Sequence, residues 1–478
     1  MIATGPTVSQ WQLRAAFAVR LSEMYGREVP AYTTLVDVSR EVNEDVLRTR
    51  GAGAERLGSL ARVTAERHGA IRVGTPRELG QVARVFGALG MHPVGFYDLR
   101  EAAASAVPVV STAFRPVDGE ELARNPFRVF TSLLTPADPR FFDAGLRARL
   151  ETFLAARELF PPELLTLADR AAADRELPAD DAERFLELAV RAFELSKEPV
   201  DRAWYRTLER VSAVAADIGG VRSTHINHLT PRVLDIDELY RRMTDRGIEM
   251  IDTIQGPPAW PGPDVLLRQT SFRALAEPRP MRTEDGAVVS DALRVRFGEV
   301  EARGIALTRT GRALYDDLLD RIDTQTSEHP TRARDDIART VWERHMPGSE
   351  EELAARGLAY FTYRLADDRP RDGGRPPAGI GELVRQGWLR AEPVVYEDFL
   401  PRSAAGIFQS NLGAEGTRDD DRQGTVHDAD WLSGALGREL LDPFALYEQQ
   451  QNRSLAQVAR TLGLTDPPHR LRTPGGPR

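Results

Sequence analysis

His68-Gly-Ala-Ile-Arg72 and His228-Leu-Thr-Pro-Arg232 place a His four residues before an Arg twice in one chain. Each pair opens a stretch that reads strand, helix, strand. After His68 come strand-like HGAIRV, helical GTPRELGQVARVFGALG and strand-like MHPVGFYDL. Thr75 is suited to cap that helix, Pro76 to take its first position and Gly90 to close it. After the strand-like HINHLTPRVL come helical DIDELYRRMTDRG, closed by Gly247, and strand-like IEMIDTIQG. Both units then run into further β-rich segments. These are VPVVSTAFRPV and FRVFTSLL in the first unit, and DVLLRQTSFRALAE and RVRFGEVEA in the second. The chain is therefore expected to be α+β, with a βαβββ module written twice. Two such modules set side by side bring their first strands together, and with them their two His.

Most of the remaining sequence is helical by period. The expected organisation is an N-terminal helical segment over 1–60, the first module over 61–140 and a helical insertion over 141–215. The second module follows over 216–306, then a helical and C-terminal elaboration over 307–465 that closes the site. A Pro- and Gly-rich flexible tail is expected over 466–478.

Composition narrows the chemistry. The chain has no Cys, so thiolate nucleophiles and thiolate metal sites are excluded. Any metal must rest on His, Asp or Glu. Two His and one carboxylate, with open positions opposite, form the facial triad of non-haem Fe(II) oxygenases. The carboxylate candidates are Glu299 and Glu301 in RVRFGEVEARG, which alternate onto one strand face with Phe297. An edge strand with that face in water is the plainer alternative. His225 competes with His228, because HINH puts two His three apart and a strand turns only one of them to a cavity. The register of the repeat favours His228. His92, His329, His345, His427 and His469 read as ordinary packed or surface residues. Arg72 and Arg232 share the strand face of their His and are candidates to grip a carboxylate. Gln269 and Ser271, in LLRQTSF, line the same cavity if the alternation runs in that register.

The net charge of −9 argues against a nucleic-acid partner. No run approaches the ~20 apolar residues of a membrane span. The first residues show no basic region followed by an apolar core. A cytoplasmic protein with neither nucleic-acid nor membrane partner is expected.

Five segments in this order carry a resemblance: HGAIRVGTP, HINHLTPRVLDID, LLRQTSFRALAE, FGEVEARGIALTRTGRALYD and VYEDFLPRSAAGIFQSNL. Together they resemble the 2-oxoadipate dioxygenase/decarboxylase family, also called the D-2-hydroxyglutarate synthase family, of the vicinal oxygen chelate superfamily. The resemblance implies duplicated βαβββ modules forming a half-barrel around a metal, with large helical insertions. It implies a mononuclear Fe(II) enzyme of lysine catabolism. Its substrates would be a 2-oxo dicarboxylate, 2-oxoadipate, and O₂, and its products 2-hydroxyglutarate and CO₂. It further implies His68, His228 and Glu299 as metal ligands and Arg72 as the residue that grips the substrate. FGEVEAR is also similar to the final-strand Glu motif of hydroxyphenylpyruvate dioxygenases and hydroxymandelate synthases, which favours Glu299 over Glu301. In the family, residues just after FLP approach the substrate, which points to Arg402 and Ser403. The family residue after FLP is usually small and apolar, so Arg402 is a departure that bears on substrate choice. Two alternatives share this fold. A metal-dependent lyase or isomerase is separated by its indifference to O₂, and a non-catalytic 2-oxo acid binding protein by its lack of metal.

Overall fold

The His68 strand (Arg67–Val73) turns through Gly74 and Thr75 into a helix, Pro76–Ala88. The turn is held by a reciprocal cap. Thr75 Oγ1 accepts from the Glu78 N–H, and the Glu78 carboxylate accepts from the N–H groups of Thr75 and Gly74. Leu79, Val82, Ala83 and Phe86 recur at three- and four-residue spacing and are fully buried. Each large side chain among them contributes about 1.5–3 kcal/mol through burial. The helix ends at Gly90, whose φ of +68° only glycine adopts without strain. Three strands follow, His92–Asp98, Val109–Arg115 and Arg128–Leu134, and complete a βαβββ unit. The computed structural model describes residues 6–51, 57–101, 106–293, 296–370, 376–377, 379–412, 418–419 and 421–464. The tail expected over 466–478 lies outside the described residues.

The second unit repeats the first. The His228 strand (His228–Pro231) leads into a helix, Ile236–Asp245, which closes at Gly247 with φ +75°. The strands Leu267–Phe272 and Gly298–Arg303 pair antiparallel. The stretch IEMIDTIQG, expected as a full strand, makes only isolated bridges, Met250 to Phe272 and Gln255 to Gln269. Pro257 and Pro258 follow at once, and neither can donate to a ladder. A hairpin, Glu277–Arg282 with Val288–Leu293, is inserted before the last strand and belongs to a separate sheet.

The two first strands meet at the centre. They pair antiparallel, His68 opposite Thr230 and Ala70 opposite His228. This register is a local dyad that carries His68 onto His228. The strand order is His92, Val109, Arg128, His68 and His228 within one sheet. It continues through the Arg232–Glu301 bridge to the Glu299 strand and its partner. The fold is thus α+β, with two βαβββ modules joined edge to edge through their first strands.

The N-terminal helices, Gln10–Glu28 and Pro30–Arg50, brace both modules, with Arg14 donating to the carbonyls of Leu89 and Asn125 in the first. Tyr25 OH lies 3.0 Å from the carbonyl oxygens of both Asn227 and Phe297, the residues beside His228 and near Glu299. Asn43 donates to the carbonyl of Arg232 and accepts from the N–H of Leu234. The stretch 142–197 is helical as expected, with helices Ala144–Ala155, Pro162–Asp174 and Ala179–Arg191. Beyond residue 306 a third apolar core gathers around Trp342, Tyr315 and Leu353. Among the described residues no helix is long and apolar enough to cross a membrane.

Candidate metal centre

Three buried side chains converge where the two modules join. His68, His228 and Glu299 each offer a donor atom within 4.8 Å of the other two. His68 Nε2 is 3.2 Å from Glu299 Oε1, and His228 Nδ1 is 3.6 Å from Glu299 Oε2. The His rings stand edge to face, 5.3 Å between centroids. Neither ring nitrogen of His228 has a hydrogen-bond partner among the described residues, although both are buried. Unpaired polar atoms in a dry interior are costly unless something else binds them. Burial pushes the His228 imidazole down to about 4, with Glu299 opposing and His68 assisting. It is therefore neutral at physiological pH, the form a metal requires. Two imidazoles and one carboxylate on one side of a pocket fit a divalent transition metal with positions left open.

The opposite walls are apolar. Phe130, Phe399 and Ile407 line the small cavity together with Gln269. The Phe399 ring stands 5.0 Å from that of His68, edge to face, and Phe297 is 5.3 Å from His228. The dyad explains why there are three donors rather than four. Phe130 lies beside Ala70 in the parallel pair of the first module. The Arg232–Glu301 bridge sets Glu299 beside Thr230, the dyad equivalent of Ala70. Phe130 thus stands where the second module has Glu299.

A second layer of charge sits behind His68. Glu301 Oε2 is 2.8 Å from His68 Nδ1, on the far side of the ring from Glu299, in ion-pair contact but without the alignment of a hydrogen bond. Arg303 clamps the Glu301 carboxylate through Nε and Nη2 at 2.7 and 2.8 Å, and Arg128 approaches at 3.3 Å. Burial opposes ionisation of Glu301, but Arg303, His68 and Arg128 overcome it and hold the carboxyl at about 2. A fixed carboxylate on one imidazole nitrogen orients the ring and leaves the other nitrogen's lone pair for a metal. The layer extends through Glu66, which bridges Arg128 and Arg232 at 2.8 Å each, and through Glu397, which pairs with Arg128 and Arg62. Burial also pulls the His68 imidazole down, but Glu301 and Glu299 outweigh it and leave the net shift upward.

A family profile described as 2-oxoadipate dioxygenase/decarboxylase matches residues 17–411. The chain belongs to that family. A member named 2-oxoadipate dioxygenase/decarboxylase from Mycobacterium bovis is 58% identical over 449 residues, covering 94% of this chain and 97% of its own. One of the same name from Pseudomonas putida is 40% identical, covering 96% and 98%. The crystal structure of the hydroxyglutarate synthase from Pseudomonas putida in complex with 2-oxoadipate superposes with a TM-score of 0.81. Its identity is 37%, over 96% of this chain and 99% of that one.

The other residues expected at the site of this family member divide. Arg72 is buried and, two steps of alternation from His68, points to the same side of the sheet. Its guanidinium pairs with Asp217 at 2.5 Å. Asp217 also accepts from Asn227 and lies 3.3 Å from His225. His225 is therefore a member of the Arg72–Asp217 cluster, and His228 is the residue that meets His68 and Glu299. Gln269 lines the cavity and donates through Nε2 to Glu299. Ser403 is buried on the helix Pro401–Leu412, one turn before Ile407 and so on the same face. Arg402 does not reach the cavity. Its side chain is half exposed and pairs with Asp320 and Asp323, each at 3.1 Å, because the helix turns position 402 outward. Arg232, the dyad equivalent of Arg72, serves the charged layer and not the cavity. The sequence reading did not single out Asp217, Glu397, Asp398 or Phe399. Asp398 is held by Arg115 through Nε and Nη2, and by the Tyr447 hydroxyl.

Proposed function

We propose that this chain is an Fe(II)-dependent dioxygenase that converts 2-oxoadipate and O₂ to 2-hydroxyglutarate and CO₂. The observation that carries the reading is the buried His68–His228–Glu299 trio on the paired first strands. It occurs in a chain that shares its fold end to end with a protein crystallised with 2-oxoadipate. When bound, Fe(II) supplies a chelation point for the 2-oxo carboxylate and the redox chemistry that O₂ requires. His68, His228 and Glu299 hold the metal, and Glu301 keeps His68 turned toward it. Phe130, Phe399 and Ile407 exclude water from the open side, which protects a reactive centre from solvent. Arg72 takes the distal carboxylate of the substrate in partial exchange for Asp217, and Ser403 faces the same space. The reading carries with it a place in lysine catabolism and a cytoplasmic location.

The test is product analysis with iron-loaded protein, 2-oxoadipate and ¹⁸O₂. The expected product is 2-hydroxyglutarate carrying two labelled oxygens, with one CO₂ released per turnover. Turnover without O₂ would assign the chain to the lyase alternative. Untouched 2-oxoadipate over iron-replete protein would refute the substrate. His68→Ala is expected to purify without iron, and full iron content in that variant would remove His68 from the ligand set. Arg72→Ala is expected to lose at least about tenfold in kcat/KM, the scale of one charge-assisted hydrogen bond.

A further inference from the structure

A second cleft, of about 760 Å³, lies apart from the metal centre and shares no lining residue with it. Its walls come from the helix Ala144–Ala155, the helix Arg202–Glu209, the segment 220–223 and the strand Glu277–Arg282. Four arginines line it: Arg149, Arg222, Arg279 and Arg282. None of them makes an ion pair with a carboxylate among the described residues. The contrast with their neighbours is sharp. Arg147, two residues from Arg149, pairs with Glu151, and Arg202 and Arg206 both pair with Asp291.

Arg279 is the most telling of the four. It is 4% exposed, its Nη1 donates to the carbonyl of Ser196, and its Nε has no partner. Asp217 and Glu277 offset its burial from a distance, but burial outweighs them and no carboxylate touches it among the described residues. A buried guanidinium with no carboxylate in contact is expensive to keep, and a ligand could supply the missing counter-charge. Arg149 and Arg222 are backed by aromatic faces. The Arg149 Cζ stands 4.3 Å from the Trp204 ring centroid, and the Arg222 Cζ stands 5.9 Å from that of Phe153. Ring backing fixes the plane of a guanidinium while leaving its N–H edge free to bind an anion. Two lining carboxylates, Glu198 and Asp201, offset part of the charge. Asp201 is already engaged as the cap of its helix. Four cations against two anions leave a surplus of two positive charges, in a chain whose overall charge is −9. The volume is within the range of small-molecule sites.

We propose that this cleft is a second binding site, for a small organic dianion that Arg149, Arg222, Arg279 and Arg282 neutralise. Two sources share this chemistry: a dicarboxylate, held outside the reaction centre, and a phosphomonoester. The segment 220–223 continues directly from the helix Ala213–Gly219, which carries Asp217 and through it Arg72. An anion seated there would bear on the residue proposed to grip the substrate.

The experiment is calorimetric titration of the metal-loaded enzyme with glutarate and with glycerol 3-phosphate, near 0.15 M ionic strength so that surface attraction is screened. The same titrations are run on Arg149→Ser/Arg222→Ser, a double variant at two exposed positions that leaves the buried wall intact. At least one probe is expected to bind the wild type, and to bind the double variant at least tenfold more weakly. Glutarate responding alone identifies a dicarboxylate site, and glycerol 3-phosphate responding identifies a phosphomonoester site. Glutarate bound at the metal centre is insensitive to the double variant and so is recognised as such. The proposal is overturned if neither probe binds the wild type, or if the double variant binds both as the wild type does.

Discussion

Glu301→Gln tests whether Glu301 orients His68, as proposed, while Glu299 is itself the proposed metal ligand. The substitution keeps the size of the side chain and removes one negative charge. Both Glu301 oxygens are occupied. Oε1 accepts from Arg303 Nε and faces Arg128 Nη1, while Oε2 accepts from Arg303 Nη2 and faces His68 Nδ1. A glutamine has one acceptor, so its NH₂ must be set against donors on one side or the other. Losing one partner of a buried charge pair costs about 3–5 kcal/mol of folding stability. The Glu66 and Glu397 carboxylates stay near Arg128 and should keep the loss toward the lower end. Loss of such an outer contact lowers metal affinity about 10–100-fold. At about 1.36 kcal/mol per tenfold, that is about 1.4–2.7 kcal/mol of His68 orientation. The assay is Fe(II) affinity by competition with a chelator, beside a chemical denaturation curve, with Glu299→Gln as the comparison. Glu301→Gln should still bind iron, weakly, and Glu299→Gln should lose it altogether. A folded Glu301→Gln that binds iron like the wild type would refute the orienting role. Equal losses in the two variants would refute the division between them.

Three further outcomes follow from the geometry. Arg402→Ala should leave kcat/KM for 2-oxoadipate unchanged and shift stability by less than about 1 kcal/mol, since exposed ion pairs contribute little. A large rise in KM would show that Arg402 swings into the cavity. Gly298→Ala should destabilise the fold by about 1–3 kcal/mol and weaken iron binding, because a Cβ there would run into the Phe272 ring across the strand pair. Unchanged melting and iron content would contradict that packing. Phe130→Glu should give a folded, iron-retaining and inactive protein, as a second carboxylate takes an open position, and retained turnover would show that Phe130 does not face the metal.

Much of the architecture is legible in the sequence because it rests on local signals. Thr75, Pro76 and Gly90 punctuate the helix of the first module where their capping and turn chemistry predicts. The spacing of His68 and His228 survives as the dyad of two paired strands. What local signals cannot carry is partner choice across the fold. Glu397 and Asp398 sit in YEDFLP, where no local pattern marks two carboxylates as buried. Their charged partners include Arg128 and Arg115, 269 and 283 residues away in sequence. Arg402 fails for a related reason. One residue's shift along a helix turns a side chain by about 100°, so proximity to FLP does not say which way position 402 faces. The same rotation that sends Arg402 to Asp320 and Asp323 brings Ser403 and Ile407 inward.

The duplication explains why one site results from two modules, and why that site is open. A perfect repeat about the His68–His228 dyad would supply a His and a carboxylate from each half. Four protein donors would then surround a metal and leave little room for substrate. The first half breaks the symmetry at one position, where Phe130 stands in place of Glu299. That exchange subtracts a charge and a donor on one side and adds an apolar wall there. The halves differ at a second position. Arg72, the equivalent of Arg232, pairs with Asp217, while Arg232 pairs with Glu66. The second module thus contributes His228, Glu299 and Glu301, and the first contributes His68 and the apolar wall at Phe130. Divergence at two equivalent positions, Phe130 against Glu299 and Arg72 against Arg232, makes the two halves of a duplicated scaffold unlike around one cavity.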